Sequence, residues 1–299
     1  MSDQVRITVL VENATHRLKL AAEHGLSFHI QAGPHSLVFD AGQTDMLLLN
    51  AEALGIDLSD VDAIVLSHGH HDHTGGLPEL LEVACNARVY AHPSALGMKY
   101  SKPPGAEPRY NGMSPAARQA VRQLGQRFIE TRTRTEVVSG AFVTGEIPRQ
   151  TRYEDTGGPF FLDAAGTQPD PLIDDQALVI DLGDSLIVLL GCTHSGAVNT
   201  LEHVSRLSGG KPVRAVIGGL HLGNAGPERM NRTIARLRDA NLRCLAPMHC
   251  TGWPATALLW QAMPEIFQPG GVGSAFQFPY EKRPPTGRQE DAGKYPGRD

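Results

Sequence analysis

Cysteine is scarce. Cys85, Cys192, Cys244 and Cys250 are the four in 299 residues, and no two form a CxxC pair. A chain of this length needs no disulfide framework, and four scattered thiols suit a reducing cytoplasm. An excess of positive charge is missing too. Against 27 Lys+Arg stand 32 Asp+Glu, a formal net charge of −5, so no basic field advertises a nucleic-acid or anionic-membrane partner. No apolar run approaches the ~18 residues of a membrane span. The opening residues Met1 to Arg6 lack the basic stretch and apolar run of a secretory signal. These absences predict a cytoplasmic protein with neither a membrane nor a nucleic-acid partner. Disorder over most of the length is excluded by 41% hydrophobic against 20% charged residues.

What is present is a βαβ rhythm. Short β-branched or aromatic segments at 5–12, 28–31 and 36–39, punctuated by Gly25, Gly33 and Pro34, read as early strands. A helix over 45–55 follows, then the continuous apolar run 61–66 of a buried strand, a helix at 77–83 and a strand at 88–91. From His92 to about Thr156 the rhythm breaks around Pro103, Pro104 and Pro108. Within that stretch Ser114 and Pro115 open a helix running through Phe128, with Val121, Leu124 and Phe128 on one face. Residues 93–156 are therefore expected to form an insertion over the core that shapes a substrate pocket. The rhythm returns with strands at 176–181, 185–190, 213–217 and 243–247, and helices at 199–207 and 227–240. A last helix at 255–263 and a strand at 274–278 close a single domain spanning 1–280. The stretch 281–299, rich in Pro, Gly and charge, is expected to be a mobile tail.

Thirteen histidines are the compositional oddity, and four fall within six residues. Ser67-His68-Gly69-His70-His71-Asp72-His73-Thr74-Gly75-Gly76 follows directly on the buried run 61–66. Chain leaving a buried strand lies at the sheet edge, where open α/β sheets place ligand sites. Imidazoles at 68, 70 and 73 with the carboxylate at 72 offer an N/O donor set for Zn, Mn, Fe or Ni. Gly69 and Gly75-Gly76 let the backbone bend until these donors converge. The same design recurs twice. The strand ending at Leu190 runs into Gly191-Cys192-Thr193-His194-Ser195-Gly196, and the strand ending at Pro247 into Met248-His249-Cys250-Thr251-Gly252. If these strands are parallel, His194 and His249 reach the same edge as the cluster and complete the ligand set.

His68-x-His70-x-Asp72-His73, with Phe39-Asp40-Ala41-Gly42 before it, resembles the signature of the metallo-β-lactamase superfamily. The segments Thr144 to Arg149, Asp174 to Leu178, Gly191 to Gly196, Gly218 to Leu222 and His249 to Gly252 are similar to the branch named for 7,8-dihydropterin-6-methyl-4-(β-D-ribofuranosyl)aminobenzene-5′-phosphate synthase. The resemblance implies an α/β (α+β) fold, a four-layer αββα sandwich. It implies two divalent ions, zinc first with Mn or Fe as options. His68 and His70 would hold one and Asp72 and His73 the other, with His71 a bystander and Asp40 an outer-shell carboxylate that orients ligands. Where many members carry Gly-Asp, with the aspartate bridging both metals, this chain has Gly191-Cys192. Either His194 takes over that coordination or Cys192 contributes a thiolate. We favour the former and place Cys192 behind the ligands, because a thiolate between two metals is oxidation-sensitive.

His221 follows the strand at 213–217 and is expected to bind substrate or transfer a proton. Arg149 and Glu146 are further substrate-binding candidates, Arg149 as a bidentate clamp for phosphate or carboxylate. His16, His24, His29, His35, His92 and His203 carry no comparable context and read as structural or exposed. Two histidine-bound metals fit a hydrolase, with a bridging hydroxide as nucleophile and Asp72 both ligand and orienter of it. The named branch implies another use of the site: displacement of a pterin methylene diphosphate by an aromatic amine. In either case the expected partner is a small anionic molecule. The alternatives are a non-catalytic metal-binding sensor or redox protein, and a nucleic-acid phosphodiesterase, which the acidic balance disfavours. No feature of the sequence sets the oligomeric state.

Overall fold

The structure, a computed structural model, describes residues 4–280; the tail expected from 281 onward lies outside the described residues. The chain begins with β1 (Gln4–Val11), β2 (Ser27–Ala32), β3 (His35–Phe39), α1 (Met46–Ala53), β4 (Ala63–Val65), the single turn α2 (His71–Thr74), α3 (Leu77–Val83) and β5 (Arg88–Ala91). Next come β6 (Tyr100–Ser101), β7 (Arg109–Tyr110), α4 (Pro115–Gln123), β8 (Phe128–Glu130), β9 (Thr135–Val138), β10 (Ala141–Val143) and β11 (Phe160–Phe161). The last third carries β12 (Leu178–Asp181), β13 (Leu186–Leu190), α5 (Ala197–Leu207), β14 (Val213–Gly219), α6 (Pro227–Asp239), β15 (Cys244–Met248), α7 (Trp253–Ala262) and β16 (Ala275–Pro279).

Among the described residues the strands form a seven-stranded sheet, β16-β1-β2-β3-β4-β5-β8, a six-stranded sheet, β15-β14-β13-β12-β10-β9, and a small sheet, β11-β6-β7. Side chains alternate across a strand, and that alternation builds the layers. Leu37 and Phe39 of β3 enter one core with Leu178 and Ile180 of β12 and Ile187 and Leu189 of β13, so the two large sheets pack face to face. The intervening Val38, with Ile64 and Val89, faces the opposite way onto Leu47 of α1, Leu77 and Leu80 of α3 and Val121 of α4. Val179, Val188 and Val216 do the same on the second sheet, against Leu201 of α5, Leu237 of α6 and Leu259 of α7. The result is the four-layer αββα sandwich.

The stretch 93–156 divides rather than forming one insertion. β8 extends the first sheet beside β5, while β10 joins the second beside β12 and carries β9 at its edge. What stands above the core is β6 and β7, with β11 paired to β6 from beyond the expected boundary. Strands of two to four residues hold too little apolar periodicity to be read alone, and pairing with neighbours decides their state.

Candidate metal centre

Parallel pairing brings the chemistry to one edge. β3, β4 and β5 run parallel, as do β13, β14 and β15. Asp40 leaves β3, the Ser67 to His70 segment follows β4, and Cys192 with His194, His221 and His249 follow β13, β14 and β15. Asp40, Thr193, His221 and His249 take positive φ of 61°, 61°, 46° and 53°, a conformation that costs energy in non-glycine residues and concentrates here at the strand ends. Gly69 is required by close approach, since a Cβ there would lie 2.2 Å from the carbonyl oxygen of Ala95.

Four imidazoles are oriented in one way. The Nδ1 of His68 donates to Ser67 Oγ at 2.9 Å, and Ser67 Oγ donates on to Asp40 Oδ2 at 2.7 Å. His73 Nδ1 meets the same carboxylate oxygen at 2.7 Å, His194 Nδ1 donates to the Thr156 carbonyl at 2.7 Å, and His249 Nδ1 faces Asn13 Oδ1 at 2.9 Å. With each Nδ1 engaged by oxygen, each Nε2 turns inward and is the ring atom left to meet a cation once any proton on it is shed. His73 Nε2 and His249 Nε2 stand 3.3 Å apart, and Asp72 Oδ2 lies 3.3 Å from His249 Nε2 and 3.7 Å from His73 Nε2. On the other side His68 Nε2 faces His70 Nδ1 at 2.9 Å, and His194 Nε2 is buried without a hydrogen-bond partner. A buried polar atom left unpaired is costly, and a cation is the partner these lone pairs fit.

Electrostatics sort the donors into two groups. Burial holds His68 and His194 well below the ordinary imidazole value and His70 down at about 3, so all three are neutral and ready to ligate. Burial also opposes charge on His73, but the carboxylates of Asp40 and Asp72 outweigh it and lift His73 to about 9. Asp72 is likewise penalised by burial, yet the charge of His73 and hydrogen bonds from His24 and His249 hold its carboxyl well below the usual range. Burial works against charge on His221 too, and its contact with Cys250 raises it nonetheless.

The edge opens into a cavity of about 410 Å³ whose lining includes Asp72, His194, His221 and His249. Its outer wall is the small sheet, through Ser101, Arg109, Tyr110 and Phe160. His71 is among the lining residues as well. Arg149 and Glu146 do not line this cavity: Arg149 donates to the Pro171 carbonyl at 3.1 Å, and Glu146 pairs with His92 at 3.0 Å. Cys192, expected behind the ligands, has its Sγ 3.2 Å from His73 Nε2, among the candidate donor atoms. His24, read from the sequence as structural or exposed, reaches Asp72 Oδ2 at 3.3 Å. Its approach is set by the backbone, where Leu26 N–H donates to the Asp72 carbonyl at 3.2 Å, and no spacing rule announces a contact of that kind. Arg109 was missed for a similar reason, lying in a two-residue strand.

This edge, on an αββα sandwich, defines a class, and a sequence model of the metallo-beta-lactamase superfamily matches residues 22–210: the chain belongs to that superfamily and is an enzyme of it. It is 29% identical over 290 residues, 92% of this chain and 97% of the relative, to 7,8-dihydropterin-6-methyl-4-(beta-D-ribofuranosyl)-aminobenzene-5'-phosphate synthase of Methanocaldococcus jannaschii. An uncharacterized protein of the same organism is 31% identical over 257 residues, 85% of this chain and 94% of its own. Among solved structures, a metal-dependent hydrolase of the beta-lactamase superfamily superposes with a TM-score of 0.75 at 27% identity, covering 91% of this chain and 98% of that one.

Proposed function

We propose that the chain is a two-metal enzyme that hydrolyses, or displaces diphosphate from, a small anionic substrate of phosphorylated or pterin-like kind. The observation that carries this reading is the common orientation of His68, His73, His194 and His249, each with Nδ1 on an oxygen and Nε2 turned inward. His68, His70 and His194 would hold one divalent ion, zinc in the first instance, and Asp72, His73 and His249 the other. Ions held there supply Lewis acidity toward a phosphoryl or carbonyl oxygen and acidify water.

The remaining chemistry belongs to the chain. Arg109, whose Nε is fixed on Ser101 Oγ at 3.1 Å, is the guanidinium in the lining and attracts an anion to the mouth. Tyr110 and Phe160 supply aromatic walls against which a heterocycle can stack. His221 sits with its ring 4.4 Å from that of His194, and its contact with Cys250 favours the protonated form that could deliver a proton to a leaving oxygen. Asp72 orients the attacking water or amine. Similarity to the named synthase over nearly the whole chain favours displacement by an aromatic amine over hydrolysis.

The test starts from protein purified without added metal and analysed for its elements. It is then assayed for displacement from a dihydropterin methyl diphosphate by an aromatic amine, and for hydrolysis of phosphodiesters, lactones and thioesters. The reading requires about two ions per chain, activity lost on chelation and activity restored by Zn or Mn. Turnover in chain shown to be metal-free would overturn it, and metal uptake without turnover on any of these substrates would favour a binding protein.

A further inference from the structure

Cys192 is 3% exposed and directly follows Gly191 at the end of β13. Its Sγ lies within 4.8 Å of the ligand atoms of His68 and His194 on one side, and within the same distance of those of His73 and His249 on the other. No other side chain among these donor groupings joins both sides. The 3.2 Å from Sγ to His73 Nε2 is close to the ~3.5 Å that separates a sulfur and a nitrogen on one tetrahedral zinc, given bonds of about 2.3 and 2.05 Å.

We propose that the Cys192 thiolate is a ligand common to both ions, the one protein atom that joins the two halves of the centre. The inference rests on the two-ion reading above and deepens it. On loading, the S–H bond breaks, bonds from sulfur to the two ions form, and the thiol proton leaves to solvent. With one carboxylate and one thiolate among the donors, the net charge of the centre is about +2 rather than the +3 that Asp72 alone would leave. Cys250, whose Sγ donates to the Cys192 carbonyl at 3.5 Å, belongs with Cys192 and His221 in a neighbouring soft grouping, and that grouping is the competing place for a thiolate-bound ion.

Two measurements decide it, both on anaerobically prepared full-length chain with metal content measured on the same samples. X-ray absorption at the zinc edge of the two-zinc protein should show one sulfur at about 2.3 Å per zinc, because a bridging thiolate is counted by both ions. Half a sulfur per zinc, or none, would overturn the proposal. Cobalt(II) titration of the metal-free chain should give a thiolate-to-cobalt charge-transfer band that persists in Cys250→Ser and disappears in Cys192→Ser. Should Cys192→Ser fail to fold, Cys192→Asp, whose carboxylate can also join two ions, should take up two cobalt ions without the band. A band lost in Cys250→Ser and kept on removal of Cys192 would place the thiolate in the neighbouring grouping instead. A chain that takes up no metal overturns the two-metal reading and this one together, whereas two cobalt ions without the band overturn this one alone.

Discussion

Asp40 holds three groups with one carboxylate. Oδ1 accepts the Ser67 N–H at 2.7 Å, while Oδ2 accepts the Ser67 hydroxyl and meets His73 Nδ1, both at 2.7 Å. It thereby sets the tautomer of His73 directly and that of His68 through the serine. Replacing it with alanine frees both rings, so Asp40→Ala should weaken metal affinity about 10- to 100-fold, as removal of such outer partners does. Competition with a chelator of known affinity measures this, and unchanged affinity would refute the role. Gly157 works by absence. A Cβ there, at φ 83°, would fall 1.9 Å from His221 Cδ2, so Gly157→Ala must move that ring. If His221 delivers the proton, Gly157→Ala should lower kcat by about 100-fold while metal content stays at the wild-type value. A full kcat would reassign His221 to packing.

The small sheet that covers the edge is anchored by a buried cation. Lys99, beside β6 and 1% exposed, donates to Asp170 at 2.9 Å and Asp174 at 2.8 Å, and Asp174 in turn accepts the N–H of Gly69 between the cluster histidines. Lys99→Met leaves two buried carboxylates without their partner, which should cost about 3–5 kcal/mol in urea unfolding. The variant should also bind metal more weakly, because Gly69 loses its tether; a loss within 1 kcal/mol would show the pair to be dispensable. The contrast between elements explains what the sequence reveals. β4, β13 and β15 are continuous apolar runs, β14 is one interrupted by Arg214, and a histidine follows each within a few residues, so their burial and destination were legible, while the sandwich came through the family resemblance. β6, β7 and β11 have two residues each and exist through their pairing. The positions of Arg109 and His24 depend on such contacts between distant segments, which local patterning does not encode.

At the scale of the molecule, acid should weaken the sandwich through a residue outside the centre. His29 on β2 is 9% exposed, and burial, aided by the charge of Arg6, pushes it down to about 4. Folding favours its neutral form, so the unfolded chain binds more protons between about pH 4 and 6.5. The stability tied to neutral His29 is therefore complete above about pH 6.5 and is lost as pH falls through about 4. Between pH 7.5 and 4.5 this amounts to about 2 to 3 kcal/mol. Urea midpoints of metal-free wild type and His29→Gln across that range should converge toward acid, and parallel curves would exclude His29 as the source.

β16 pairs antiparallel with β1, Gln4 opposite Pro279, so the first sheet receives its edge strand from the far end of the chain. The centre is spread in the same way, from His24 in the loop after β1 to His249 after β15. During synthesis at roughly 5–20 residues per second, about 10 to 45 s separate those two histidines. Once residues 68–73 are made, the nascent chain carries that cluster for the rest of the interval before His249 joins it. Under the two-metal reading, an ion captured then would be held by a partial donor set, and the complete set exists only once β15 and His249 have folded against the cluster.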